Sequence, residues 1–221
     1  MNSCILFFVR YPEPGTVKTR LAANTTPEAA AEFYQALVEE KLPELARATD
    51  AELFVCYSPE DMCDAMTDWL GHDYLYLSQK GAELGKRMEN AFREVFFMGY
   101  EHAVLVGSDI PMLDGPILTR ALQGLKNHDA CIGPTEDGGY YLIGFQRGSF
   151  TPEVFRDMEW SRNDVLERTM HRLAALGVDA EQLDMLDDVD TLEDLEALVT
   201  LGANGPLRGN VLQAARRLIQ R

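Results

Sequence analysis

The segment Phe8–Leu21, with the sequence FVRYPEPGTVKTRL, leads from an apolar run through a loop into a stretch with helical character. The residues Cys4–Val9 are all apolar and are typical of a buried strand. Two prolines and Gly15 then stiffen and shape the loop. Strand, loop and helix in this order form the unit of an open α/β sheet, in which ligands bind beyond the carboxyl ends of the strands. In such a sheet, this loop would lie at a binding site.

Six short apolar runs predict strands, and segments with helical character separate the first five. The runs are Cys4–Val9, Leu53–Tyr57, Tyr74–Leu77, Ala103–Val106, Ala130–Gly133 and Tyr140–Phe145. This alternation is typical of a mainly parallel sheet. The last two runs are joined by Thr135–Gly139, which is too short for a helix and predicts an antiparallel hairpin. We therefore predict a three-layer α/β/α fold with a mainly parallel mixed sheet, in a single domain over residues 1–221.

Capping residues and apolar spacing predict the helices. They are expected from Thr26, from about Pro59 to Leu70, from Leu84 to about Phe97, from Gly115 to about Asn127, from Asp164 to about Leu176, from Thr191 to about Leu201, and around Val211, Ala215 and Leu218. Pro43 is expected to bend or divide the first of them, because proline removes a helical hydrogen bond. The stretch up to Leu186 reads as strand or loop.

Three cations, Arg10, Lys18 and Arg20, stand in or beside the first loop. The rest of the chain is acidic, since 36 Asp and Glu residues outnumber 20 Lys and Arg residues and give a formal net charge of −16. A local group of cations on an acidic background focuses a small anion. Backbone N–H groups at a strand–loop–helix junction also bind phosphate. We therefore predict that Arg10, Gly15, Lys18 and Arg20 form a phosphate site.

The same negative charge argues against nucleic acid or an anionic membrane as the partner, because both would be repelled. The N-terminus leads directly into the first apolar run, without the basic start or cleavage site of a signal peptide. No apolar stretch approaches the length of a membrane span. We therefore expect a cytoplasmic protein that binds neither nucleic acid nor membrane.

Two aspartates suit a divalent cation. Asp109 follows the buried run Ala103–Val106, which places its carboxylate at the carboxyl edge of the sheet, beside the first loop. Its oxygens suit Mg²⁺ or Mn²⁺, and the ion would bridge to a diphosphate. Asp190, just before a predicted helix, would reach the same ion. An ordinary turn at Asp109 and a solvated helix start at Asp190 remain the alternatives.

Five stretches together resemble the nucleotide-diphospho-sugar transferase superfamily with the GT-A type, Rossmann-like fold, and in particular its bacterial glycosyltransferase or rSAM/selenodomain-associated transferase group. They occur in the order of that family and span almost the whole chain. The stretches are Pro12–Leu21, Leu84–Met88, Gly107–Pro111, Gly133–Tyr141 and Asp188–Thr191.

The resemblance implies that the first loop, with Lys18 and Arg20, contacts nucleotide phosphates, and it makes Arg87 a candidate phosphate contact. A surface helix turn with Met88 in the core explains the stretch Leu84–Met88 equally well. Ser108, next to Asp109, is a further candidate phosphate contact. It also implies that Asp109 is the metal carboxylate and Asp190 a possible second ligand. The implied cofactor is Mg²⁺ or Mn²⁺.

The reaction is less well defined than the fold. Glycosyltransferases of this fold carry Asp-x-Asp, but Gly107 and Pro111 stand two residues either side of Asp109. Nucleotidyltransferases carry a glycine-rich loop ending in Gly-x-Arg, but here the loop is proline-rich.

Our leading interpretation is a metal-dependent glycosyltransferase that moves a sugar from a nucleotide sugar to a small acceptor. Asp109 would act through the metal, and Asp137, in the Thr135–Gly139 turn, would orient or deprotonate the acceptor. One alternative is a nucleotidyltransferase that uses a nucleoside triphosphate to activate a small phosphorylated metabolite and releases pyrophosphate. The other is a non-catalytic nucleotide-binding protein. The oligomeric state is not predicted.

Overall fold

A computed structural model describes residues 2–202 and 209–219. Within these ranges the strands form one seven-stranded sheet in the order β3-β2-β1-β4-β6-β5-β7. The strands are β1 (Ser3–Arg10), β2 (Glu52–Ser58), β3 (Leu75–Ser78), β4 (His102–Gly107), β5 (Ala130–Pro134), β6 (Tyr140–Gln146) and β7 (Ala180–Gln182). Strand β6 is antiparallel to both neighbours, β4 and β5, whereas the other neighbouring pairs are parallel. The predicted mainly parallel mixed sheet is confirmed, including the hairpin between β5 and β6.

The described helices agree with the predicted ones to within a few residues. They are α1 (Thr19–Ala22), α2 (Pro27–Ala48), α3 (Cys63–Leu70), α4 (Leu84–Phe97), α5 (Gly115–Gly124), α6 (Val165–Ala175), α7 (Leu192–Gly202) and α8 (Asn210–Ile219), with short 3₁₀ turns at Arg147–Ser149 and Pro152–Phe155. In the described parts of the chain, no helix combines the length and apolar character needed to cross a lipid bilayer.

Helix α2 continues through Pro43, so the proline does not divide this helix, and a bend at Pro43 stays a prediction. Buried residues lie on both sides of the proline, among them Val38, Leu42 and Leu45, and they pack against the sheet. The tertiary packing of these side chains compensates for the hydrogen bond that proline removes.

Both faces of the sheet are covered, which gives the predicted three layers. Alternate residues of β1 point to opposite faces, as strand geometry requires. On one face Ile5 and Phe7 belong to a core with side chains of α2 and α5. On the other face Leu6 and Phe8 belong to a core with side chains of α4. With helices on both faces, access to the strands is left at the sheet's ends, where the connecting loops lie.

The start of α5 depends on one side chain. Asp114 accepts a hydrogen bond from the backbone N–H of Ile117 (3.1 Å) and so caps α5, the helix that follows the loop after β4. We expect Asp114→Ala to lower the free energy of unfolding by about 1 kcal/mol, because an N–H at the helix start loses its acceptor. Chemical denaturation measures the change. Asp114→Asn keeps the cap, so an equal loss in that variant would contradict the explanation.

Candidate active site

A cleft of about 580 Å³ opens at the carboxyl ends of β1 and β4. It lies between the loop after β1, the β5–β6 turn and the segment that precedes α7. Seven of the nine predicted site residues line it: Arg10, Lys18, Arg87, Ser108, Asp109, Asp137 and Asp190. Gly15 and Arg20 lie outside this lining. The structure therefore brings together residues that are far apart in the sequence.

Lys18 is the most deeply placed cation of the site. Its side chain is only 3% exposed, and its Nζ lies 2.8 Å from Asp190 Oδ1 and 3.3 Å from Asp109 Oδ2. Burial acts to lower the pKa of Lys18, but the two carboxylates outweigh burial and raise that pKa, so the ammonium stays charged. Its backbone is left-handed (φ 46°, ψ 46°) where α1 begins.

Asp188 joins Asp109 and Asp190 in a cluster, which we call the aspartate cluster. One carboxylate oxygen from each of the three residues lies within 4.8 Å of those of the other two. Asp188 and Asp190 flank Val189, whose side chain is buried and whose N–H points to the carbonyl oxygen of Asp109 at 3.4 Å. The side chain of Val189 points into the core, and both flanking aspartates line the cleft.

The aspartate cluster carries more negative charge than its surroundings neutralise. Burial, followed by the charges of Asp190 and Asp109, raises the pKa of Asp188 to about 6. Three carboxylates converging at the end of a cleft are a ligand set that suits a hard divalent cation such as Mg²⁺ or Mn²⁺. The residues present therefore fit the kind of ion predicted from the sequence.

Tyr34 connects the two strand ends beneath the site. Its hydroxyl, which is fully buried, lies 2.7 Å from Ser108 Oγ and accepts a hydrogen bond from the Arg10 N–H (3.0 Å). Sequence analysis missed Tyr34, because a tyrosine 74 residues before Ser108 carries no local signal. The Ser108 hydroxyl is already engaged with this phenol, and its contact with phosphate stays a prediction.

Asp137 faces the cleft from the β5–β6 turn. Its Oδ1 accepts hydrogen bonds from Thr135 Oγ1 (2.6 Å) and from the Gly139 N–H (3.0 Å), so this carboxylate also shapes the turn. Gly138, which lies between Asp137 and Gly139 in the chain, has φ +86°. Asp137 is thereby held in a fixed position at the cleft edge.

The remaining predicted residues differ in their surroundings. Arg87, in the first turn of α4, donates from Nε to the carbonyl oxygen of Gly81 (2.9 Å) and lines the cleft. The Arg20 side chain is 68% exposed and lies 3.5 Å from Asp190 Oδ2. Gly15 is exposed and has φ +83°, which explains the glycine in this loop.

Trp160 and Tyr140 form an aromatic side of the cleft. Their rings meet edge to face, with centroids 6.3 Å apart. Gly85 packs under Trp160 so closely that a Cβ added there would lie 2.7 Å from the indole. These rings give the cleft an apolar surface in addition to the charged aspartate cluster.

Comparison with known proteins agrees with this architecture. A family model described as "Uncharacterized protein conserved in bacteria (DUF2064)" matches residues 41–162. A crystal structure from Desulfovibrio desulfuricans G20, provisionally assigned as a nucleotide-diphospho-sugar transferase, is 40% identical with a TM-score of 0.94, covering 100% of this chain and 98% of that one.

A more distant relative and a protein of the same fold also align over nearly the whole chain. The 2-phospho-L-lactate guanylyltransferase of Methanopyrus kandleri is 25% identical over 217 residues, which are 97% of this chain and 98% of that protein. A cytidylyltransferase from Leptospira borgpetersenii shares the fold at 14% identity and a TM-score of 0.61, covering 100% of this chain and 93% of its own. The chain therefore belongs to the DUF2064 family, within the nucleotide-diphospho-sugar transferase superfamily that its sequence motifs resemble.

Proposed function

We propose that this protein is a metal-dependent nucleotidyltransferase that uses a nucleoside triphosphate to activate a small phosphorylated metabolite. The observation that carries the proposal is the position of Lys18, in the loop after β1, against the carboxylates of Asp109 and Asp190. A triphosphate bound at this loop would meet an ammonium group and a divalent-cation site at the same point.

Similarity to the guanylyltransferase of Methanopyrus kandleri supports this reaction, because the two chains align over nearly their full lengths. The proline-rich loop after β1, which differs from the glycine-rich loop of many nucleotidyltransferases, is compatible with the same reaction, because Lys18 supplies the cation. We therefore prefer nucleotidyl transfer to the glycosyl transfer that the motifs alone had favoured.

In the proposed reaction, an oxygen of the acceptor phosphate forms a bond to the α-phosphorus of the triphosphate. The bond between that phosphorus and the oxygen bridging to the β-phosphate breaks, and pyrophosphate leaves with the electron pair. Asp109, Asp188 and Asp190 would hold Mg²⁺ or Mn²⁺, which supplies positive charge to the phosphate oxygens. Lys18 stabilises the charge that develops on the leaving pyrophosphate, with Arg10, at the end of β1, as a further cation of the cleft.

Asp137 has an orienting role in this scheme. A phosphorylated acceptor is already ionised at neutral pH, so its attacking oxygen needs no general base. The Asp137 carboxylate is tied into its own turn through Oδ1. In the proposed reaction this carboxylate would accept a hydrogen bond from a hydroxyl of the acceptor.

The test combines the protein with Mn²⁺, each of the four common nucleoside triphosphates and a panel of phosphorylated metabolites, and follows pyrophosphate. We expect one triphosphate to yield pyrophosphate only when a matching acceptor is present. Release of a nucleoside diphosphate from a nucleotide sugar would instead establish glycosyl transfer. Nucleotide binding without turnover under any acceptor would favour the non-catalytic alternative.

A further inference from the structure

The ammonium of Lys18 lies between two carboxylates of the aspartate cluster and partly neutralises their negative charge. Its Nζ contacts Asp190 Oδ1 at 2.8 Å and Asp109 Oδ2 at 3.3 Å. A divalent ion bound to both carboxylates would approach their oxygens to about 2.1 Å. Ion and ammonium thus need the same two carboxylates, and at full approach they also repel each other.

We propose that Lys18 serves as the built-in counter-ion of the aspartate cluster in the ligand-free protein, and that the divalent ion enters tightly only together with a nucleotide. This inference rests on the proposed function, since it concerns the same metal and nucleotide site. The phosphates of the nucleotide accept the ammonium when the ion displaces it. The protein therefore selects the metal–nucleotide complex over the free metal.

The surroundings of Lys18 support an exchange of partners. The side chain is 3% exposed, so the ammonium cannot simply turn into solvent when the ion arrives and needs another anionic partner. The charged groups that act on it are Asp109, Asp190 and Asp188. The same cleft is lined by Arg10 and Thr16, from the loop where a phosphate would bind.

The long, flexible stem of the Lys18 side chain allows the ammonium to change partners while the backbone stays in place. Lys18 directly precedes α1, a helix of only four residues, and follows the buried Val17. Asp109 follows the end of β4 by two residues, and the Asp188–Asp190 segment is anchored by the buried Val189. An aspartate side chain has fewer rotatable bonds than a lysine, so the exchange moves the lysine side chain while the three carboxylates stay in place.

The primary test measures Mn²⁺ binding by calorimetry without nucleotide, for the wild-type protein and for Lys18→Met. Methionine keeps an unbranched chain and removes the charge. We expect the variant to bind free Mn²⁺ at least about tenfold more tightly, because the competing cation is gone. Arg20→Gln is the matched control: it removes one positive charge 3.5 Å from Asp190, but from a side chain that is 68% exposed. Its effect should stay below about threefold.

The same proteins are then titrated with each of the four common nucleoside triphosphates in Mn²⁺, correcting for the complex that forms in solution. We expect nucleotide to increase the Mn²⁺ affinity of the wild-type protein far more than that of Lys18→Met. The increase should be at least about tenfold smaller in the variant. Equal gains in both proteins, or unchanged affinity for free Mn²⁺ in the variant, would overturn the inference and leave the proposed reaction standing. Failure of every nucleotide to bind the wild-type protein would instead count against the proposed function.

Lysine side-chain NMR of the wild-type protein provides an answer even if Lys18→Met does not fold. The buried Lys18 ammonium should give a signal that persists when Mg²⁺ alone is added and shifts when Mg²⁺ and the binding nucleotide are added together. A shift of the same size with Mg²⁺ alone would refute the proposed selection.

Discussion

Replacing Asp188 with asparagine is expected to lower turnover by about 10²-fold or more. The substitution removes one of the three carboxylates that converge within 4.8 Å, while it preserves the size of the side chain. With one anionic ligand fewer, the divalent ion is bound less tightly and less of its charge is directed at the reacting phosphate. The rate of pyrophosphate release, measured over a range of Mn²⁺ concentrations, gives the effect.

The adjacent residue provides the control. Asp187 is exposed, and Asp187→Asn changes the formal charge by the same amount, one position along the chain. We expect this variant to retain turnover within about twofold, since an exposed charge outside the cleft is screened by solvent. Equal losses in the two variants would mean that general electrostatics, and not coordination by the aspartate cluster, determines the rate.

The different positions of Asp187 and Asp188 could not be predicted from the sequence. The run Asp187-Asp188-Val189-Asp190 contains three acids, and sequence alone selected only Asp190 as a ligand. Burial of Val189 fixes which acids face the cleft, and that depends on packing against α2, α7 and α8. The Asp-x-Asp spacing that is missing around Asp109 is present at Asp188 and Asp190.

The fold was largely predictable because its central strands are buried on both faces. Such strands are continuous apolar runs, and the run Cys4–Val9 is recognisable without any tertiary information. Local cues failed where packing overrides them, as at Pro43 inside α2. Long-range pairs such as Tyr34 with Ser108 leave no local pattern and become visible only in the folded chain.

Gly138→Ala is expected to destabilise the protein by about 3 kcal/mol. Gly138 has φ +86°, and a Cβ added there would overlap the backbone carbonyl oxygen of Asn163. The Gly138 carbonyl also accepts a hydrogen bond from the Leu166 N–H (2.8 Å), in the first turn of α6. A shift of the turn would therefore disturb both Asp137 and the segment that carries Trp160. Urea denaturation of the variant and the wild-type protein measures the loss.

Gly177→Ala separates the two contributions to this effect. Gly177 has a similar backbone angle, φ +73°, but nothing lies within 4 Å of an added Cβ. This variant should lose only the cost of a left-handed alanine, about 1 kcal/mol. The difference between the variants then reports the steric contact with Asn163. If both lose the same amount, backbone conformation alone accounts for Gly138. The other outcome is that Gly138→Ala loses more stability than Gly177→Ala and also loses turnover, while Gly177→Ala keeps full turnover. That result would mean that packing of this turn against Asn163 holds the acceptor side of the cleft in place.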